Sequence, residues 1–149
     1  MSSIRSLYAR LGGHATLEQV HRLFYDEVFA HPWLGRFFEG IDQAFLEDQQ
    51  TAFMAAVMGG PKRYVGQYPR PAHRHMFLTD ELFDLRNRML GEAIAAADVP
   101  AELAAEWLRL DNSFRNAVVK KTVDDCEQRY PFEPLMIIDD PRRSGRAAG

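Results

Sequence analysis

The placement of helix breakers constrains this chain more than any other feature. Between Thr16 and Gln128 apolar residues recur mainly at steps of three and four, and the pattern is cut at His31-Pro32, Gly59-Gly60-Pro61 and Val99-Pro100. That spacing puts apolar side chains on one face of a helix, and a proline disfavours helix at the residue before it. From Thr16 to Ala30, residues Leu17, Val20, Leu23, Phe24, Val28 and Phe29 form one broad face. A short segment, Trp33 to Phe38, ends at Gly40. The next helix is expected from near Asp42 to about Met58, with Leu46, Gln50, Phe53, Met54 and Val57 on one face. A loop follows over Lys62 to Pro71, where Pro69 and Pro71 argue against regular helix. His73 to Phe77 has room for about one turn. Thr79 or Asp80 suits the cap of the next helix, with Glu81 in its first turn. That helix carries Leu82, Phe83, Leu85, Met89, Leu90 and Ile94 and fades near Asp98. A last long helix is expected from Ala101 to Gln128, with Leu103, Trp107, Leu110, Phe114 and Val118 on its face. Few strand signals interrupt this series, so the fold class is all-α.

A chain of 149 residues suits one domain, and at 46% hydrophobic it can bury a substantial core without staples. The net charge of −3 gives no reason to expect nucleic acid as a partner. No apolar run reaches 18 residues, so no membrane span is expected. The start, MSSIRSLYARLGG, lacks the apolar stretch of a secretion signal. Cys126 is the single cysteine, which excludes an internal disulfide and a cysteine metal cluster. These features fit a cytoplasmic protein. Residues 130–149 hold Pro131, Pro134, Pro141, Gly145 and Gly149 with little periodicity. The expected division is a domain over residues 1–129 and a proline-rich, flexible tail over 130–149, loosest from Ile137 onward.

The chemistry-bearing residues are few. The histidines are His14, His21, His31, His73 and His75. None forms an HExxH pair, and His73 and His75 would point about 200° apart on a helix, so a simple zinc site is not expected. Gly59-Gly60-Pro61 lacks the spacing of a phosphate loop, and no GxSxG elbow occurs. What remains is a pocket pattern. A haem needs an apolar slot, one strong nitrogen donor and polar groups on the far side. His73 can supply the donor, on a segment pinned between Pro71 and Thr79; a loop histidine at the surface is the plainer alternative. Phe37-Phe38 can stack on a ring edge, and Tyr25 and Gln50 lie beside apolar faces. His14, His21 and His31 are expected at the surface. A helical interaction module with no cofactor, its aromatics serving only as core, is a competing reading.

The chain resembles the truncated haemoglobins over about Leu7 to Lys121. The likeness rests on LYARLGG near the start, FY at Phe24-Tyr25, FF at Phe37-Phe38, the Leu46–Gln50–Phe53 run, GGPxxYxG from Gly59 to Gly66, and HxxxxLT from His73 to Thr79. The distal residues are closest to group I. The resemblance implies a globin-like two-over-two helical sandwich holding haem b (iron protoporphyrin IX). It implies His73 as the proximal iron ligand, with His75 as the alternative, and Phe38, Leu46 and Tyr64 against the haem. Tyr25 is implied as the distal hydrogen-bond donor, with Gln50 beside it. The implied function is reversible binding of dioxygen, with nitric oxide and carbon monoxide as further ligands. The alternative is a nitric oxide dioxygenase or peroxidase-like enzyme, which would need a separate reductase because the chain has no flavin or nicotinamide domain. Two departures stand out. Arg86 falls where the family usually has an apolar or aromatic residue near the haem. The glycine often found shortly after the proximal histidine is replaced by the run Arg74-His75-Met76-Phe77.

Overall fold

The computed structural model describes residues 5–143, and its regular structure is helical. Helix α1 (Leu7–Leu11) is capped by the Ser6 side chain, which accepts from the Ala9 amide. It turns into α2 (His14–Ala30) through Gly12 and Gly13 at φ of 105° and 79°, a left-handed passage that side chains other than glycine rarely adopt. A short 3-10 turn, η1 (Leu34–Phe38), leads to α3 (Gln43–Val57), which the Asp42 carboxylate caps at the Ala44 amide. Next come α4 (Pro69–His73), α5 (Asp80–Ala96), α6 (Ala101–Asn112), α7 (Arg115–Val118) and the 3-10 turn η2 (Val123–Asp125). Thr79, rather than Asp80, caps α5, and Asp80 and Glu81 then lie in its first turn, where the helix dipole favours them.

Helix α2 is the hub. It packs on α3 and on α5, and α5 packs on α6. The pair α2/α3 and the pair α5/α6, joined through the α2–α5 contact, form the expected two-over-two sandwich. Leu17, Val20, Phe24 and Val28 bury the apolar face of α2, and Leu82, Leu85, Met89, Leu90 and Ile94 bury that of α5. Trp107 of α6 lies fully buried between them. Gly35 lets η1 approach α2 closely: a Cβ there would lie 2.6 Å from the Phe29 carbonyl oxygen.

The structure departs from the sequence expectations in four places. First, Pro69 and Pro71 open helix α4 instead of preventing it. The first turn of a helix needs no partner for its N–H groups, so proline fits there, and the first bonded amide, Ala72, reaches Tyr68 O at 3.0 Å. Second, the long helix expected to reach Gln128 stops at Asn112 and resumes only as α7. After Val118 the chain becomes extended, and the Lys120 amide bonds Leu78 O at 2.8 Å instead of continuing the helix. Third, His21 is not at the surface. It is 1% exposed, and its Nδ1 lies 2.7 Å from Thr51 Oγ1.

The fourth departure is the tail. Its described part, up to Arg143, is docked rather than loose. Met136 exchanges backbone hydrogen bonds of 2.9 Å with His75 and Phe77. The indole Nε1 of Trp33 donates to Ile138 O at 2.8 Å. Arg143 reaches Glu81 at 2.6 Å. The two Met136 bonds satisfy backbone groups of the His75–Phe77 segment, which lies outside any helix. Residues 144–149 of the expected tail lie outside the described residues.

Candidate functional site

The elements enclose a cavity of about 370 Å³. That size lies within the roughly 300–1,000 Å³ of small-molecule sites. Every residue singled out in the sequence lies on its wall: Tyr25 from α2, Phe38 from η1, Leu46 and Gln50 from α3, Tyr64 from the following loop, His73 from α4, and His75 just beyond. The remaining lining is largely apolar, including Phe24, Val28, Phe53, Met54, Leu82, Phe83, Phe114 and Val118.

His73 comes from the end of α4, and its position is fixed at several points. Its Nδ1 is 2.7 Å from Pro69 O. A carbonyl can only accept, so Nδ1 carries the proton and Nε2 keeps a lone pair. Burial lowers the pKa of this imidazole to about 4, and the ring is neutral at pH 7, as a metal ligand must be. Lys120 binds the carbonyls of His73 and Met76 with its ammonium group and so closes the C-terminal end of α4. His75 is 4% exposed, and its Nδ1 has no hydrogen-bond partner among the described residues. Burial lowers its pKa too, and Arg129, Glu133, Lys120 and Arg74 are its charged neighbours.

Tyr25 is 5% exposed and packs edge-on against Phe24 and Phe38, with ring centroids 4.9 and 6.2 Å away. Burial raises its phenol to about 12, so it is a neutral donor. Its hydroxyl has no acceptor among the described residues, and neither Tyr25 nor Gln50 bonds the other. Phe38 stacks on Phe29 at 5.3 Å. The Tyr64 hydroxyl donates to Gln67 O at 2.5 Å and its ring stands edge-on to Phe53. Tyr64 is thereby held against the cavity by its own loop.

Sequence reasoning missed part of this wall. Arg86 was visible as a departure, but its partner was not. Its Nη1 donates to both carboxylate oxygens of Asp111, at 2.9 and 2.7 Å, and Asn87 adds a bond of 3.1 Å to the same carboxylate. A signal was present: Asp111 stands four residues after Trp107 and three before Phe114, on the apolar face of its helix. Arg129, at the end of the expected domain, and Met136, from the docked tail, also line the cavity. No periodicity could have placed them there.

Comparison with known proteins gives a consistent result. Residues 6–120 match the model of the bacterial-like globin family. The chain is 39% identical over 103 residues to a group 1 truncated hemoglobin of Mycolicibacterium paratuberculosis, covering 69% of this chain and 76% of that protein. Among solved structures it is similar to the truncated hemoglobin from Tetrahymena pyriformis in its Fe(III) form. There the TM-score is 0.74 at 27% identity, over 78% of this chain and 100% of the other. It is also similar to the 2/2 hemoglobin of Synechococcus sp. PCC 7002 in the cyanomet state with covalently attached heme. That match has a TM-score of 0.71 at 31% identity, over 77% of this chain and 98% of the other. With the family matched over most of its length and the two-over-two helices in place, the chain belongs to the bacterial-like globins, as a haem-binding truncated haemoglobin of group I.

Proposed function

We propose that this cavity holds one haem b through His73 Nε2 and that the chain reversibly binds dioxygen or another diatomic ligand on the side of Tyr25. The observation that carries the reading is the His73 imidazole. It is neutral, oriented by Pro69 O, and placed on the wall of an apolar cavity that also holds an unpartnered phenol. The residues present fit an iron porphyrin: one nitrogen donor, aromatic walls, and His75 with an orphaned ring nitrogen beside Arg74 and Arg129. When bound, haem would supply an iron able to bind a diatomic gas.

The chain's own groups do the rest. The hydrogen bond to Pro69 O orients the imidazole and raises its basicity. Phe38, Leu46 and Phe53 exclude water. The Tyr25 hydroxyl donates to a ligand seated in the cavity, and the Gln50 amide provides a second donor on the same wall. In this reading His73 would hold the iron, and His75, beside Arg74 and Arg129, would serve the haem carboxylates. The free, half-buried thiol of Cys126 fits a reducing cytoplasm.

Absorption spectra of the ferric, ferrous and carbon monoxide states test the assignment in the wild-type chain, His73→Ala and His75→Ala. Loss of the wild-type bands in His73→Ala alone is expected. Unchanged spectra in His73→Ala, or loss only in His75→Ala, would overturn it.

A further inference from the structure

The cavity wall contains an ion pair that ligand binding of neutral gases does not require. Arg86 of α5 and Asp111 of α6 both line the cavity. Replacing a buried ion pair by apolar residues of similar volume is often neutral or stabilising, so such a pair is weak evidence for a stability role. Its geometry is uneven. The Asp111 carboxylate is 5% exposed, whereas the Arg86 side chain is 28% exposed. A single nitrogen, Nη1, makes both bonds to the carboxylate. Arg–carboxylate pairs frequently use the parallel two-nitrogen fork instead. Here Nε and Nη2 have no acceptor among the described residues.

The guanidinium is nonetheless held in place. It lies over the Phe24 ring at 5.4 Å and near the Phe83 ring at 5.9 Å, and Asn87 steadies the carboxylate behind it. The Phe24 ring itself packs edge-on against the Tyr25 ring at 4.9 Å, which brings the charge close to the proposed ligand donor. Its field acts there: after the effect of burial, Arg86 is the largest charge influence on Tyr25, and it lowers that phenol's pKa.

We propose that Arg86, braced by Asp111, is a selectivity residue that offers its free N–H groups to small anions of the nitrite or azide class entering the same cavity. This rests on the haem reading above. A wild-type chain that takes up no haem would fail that reading before any anion is added. Arginine suits the task because its planar, permanently charged group donates in a fixed geometry to oxyanions. Asp111 offsets most of the charge, which keeps the cavity open to neutral gases while leaving directional donors for an anion.

The test uses the haem-loaded full chain. Ferric protein is titrated with sodium azide and with sodium nitrite, ferrous protein with carbon monoxide, and hemin release to an apo-globin acceptor is timed. In the double variant Arg86→Leu/Asp111→Leu, anion affinity is expected to fall about 10- to 150-fold, the range of a lost charge-assisted hydrogen bond. Carbon monoxide affinity is expected to stay within about threefold, since a neutral gas gains little from the charge. In Asp111→Asn, which keeps the shape but removes the compensating charge, anion affinity is expected to rise. That second variant keeps the idea falsifiable if the double variant does not fold. Faster hemin release with unchanged anion affinity would assign Arg86 to the porphyrin carboxylates and overturn the proposal. Parallel loss of anion and carbon monoxide affinity, or no change in Asp111→Asn, would also overturn it.

Discussion

Acidification should expose the cost of the buried histidine on α2. His21 is 1% exposed, hydrogen-bonded to Thr51 at 2.7 Å, and stands edge-on to Trp107 at 5.8 Å. Burial is the main cause that lowers its pKa to about 3, with Arg86 adding to the effect. In the unfolded chain the same ring titrates near 6.5. Between these values the unfolded state takes up a proton that the folded state refuses, so stability falls as pH falls, with a limiting slope of about 1.4 kcal/mol per unit. From pH 6.5 to 4.5 the loss attributable to His21 is about 2 kcal/mol.

His31 is lowered as well and contributes in the same direction. Glu106, Glu133 and Asp140 are held below the usual carboxylate range by arginine partners, so their contribution is lost mainly at still lower pH. A difference measurement isolates His21. His21→Asn keeps a polar atom near the Nδ1 position but has no titration. Urea unfolding of both haem-loaded chains at pH 6.5, 5.5 and 4.5 should show their stability difference shrinking by about 2 kcal/mol toward the acid end. A difference that stays constant over this range would refute the reasoning.

Two further substitutions are diagnostic. Tyr25→Phe should speed dioxygen loss from the haem-loaded chain by on the order of 10- to 150-fold, as read by stopped-flow displacement, and an unchanged rate removes Tyr25 from the ligand site. Gly35→Ala should destabilise the fold by about 1–3 kcal/mol, because its Cβ would meet the Phe29 carbonyl oxygen at 2.6 Å and both partners are backbone. A melting temperature equal to that of the wild type would show that η1 can shift away from α2.

Much of the site was legible because it depends on short-range spacing. The segment around His73 is marked off by Pro69, Pro71 and Thr79, and the helix limits nearby follow from caps and breakers. The motif resemblance then pointed to residues that do share one cavity. The misreadings have local causes. Proline opposes helix in its interior but suits a first turn, and the spacing of Pro69 and Pro71 does not by itself separate the two cases. The apolar steps from Leu103 to Val118 continue across the break at Asn112, so the interruption between α6 and α7 is hidden in the pattern. His21 falls on the same face as Leu17, Phe24 and Val28, yet its polarity argued for the surface. Burial became affordable only through Thr51, which lies 30 positions away.

Local periodicity and capping chemistry, both set by neighbours within a few positions, determined that this chain forms helices and which faces of them are apolar. Tertiary structure alone decided which polar groups meet: Arg86 with Asp111, His21 with Thr51, Lys120 with the end of α4, and the Met136 backbone with His75 and Phe77. The physical reason is the satisfaction of buried polar groups. A buried donor or acceptor must find a partner wherever the packed helices bring one, and that partner's distance along the chain leaves no periodic trace.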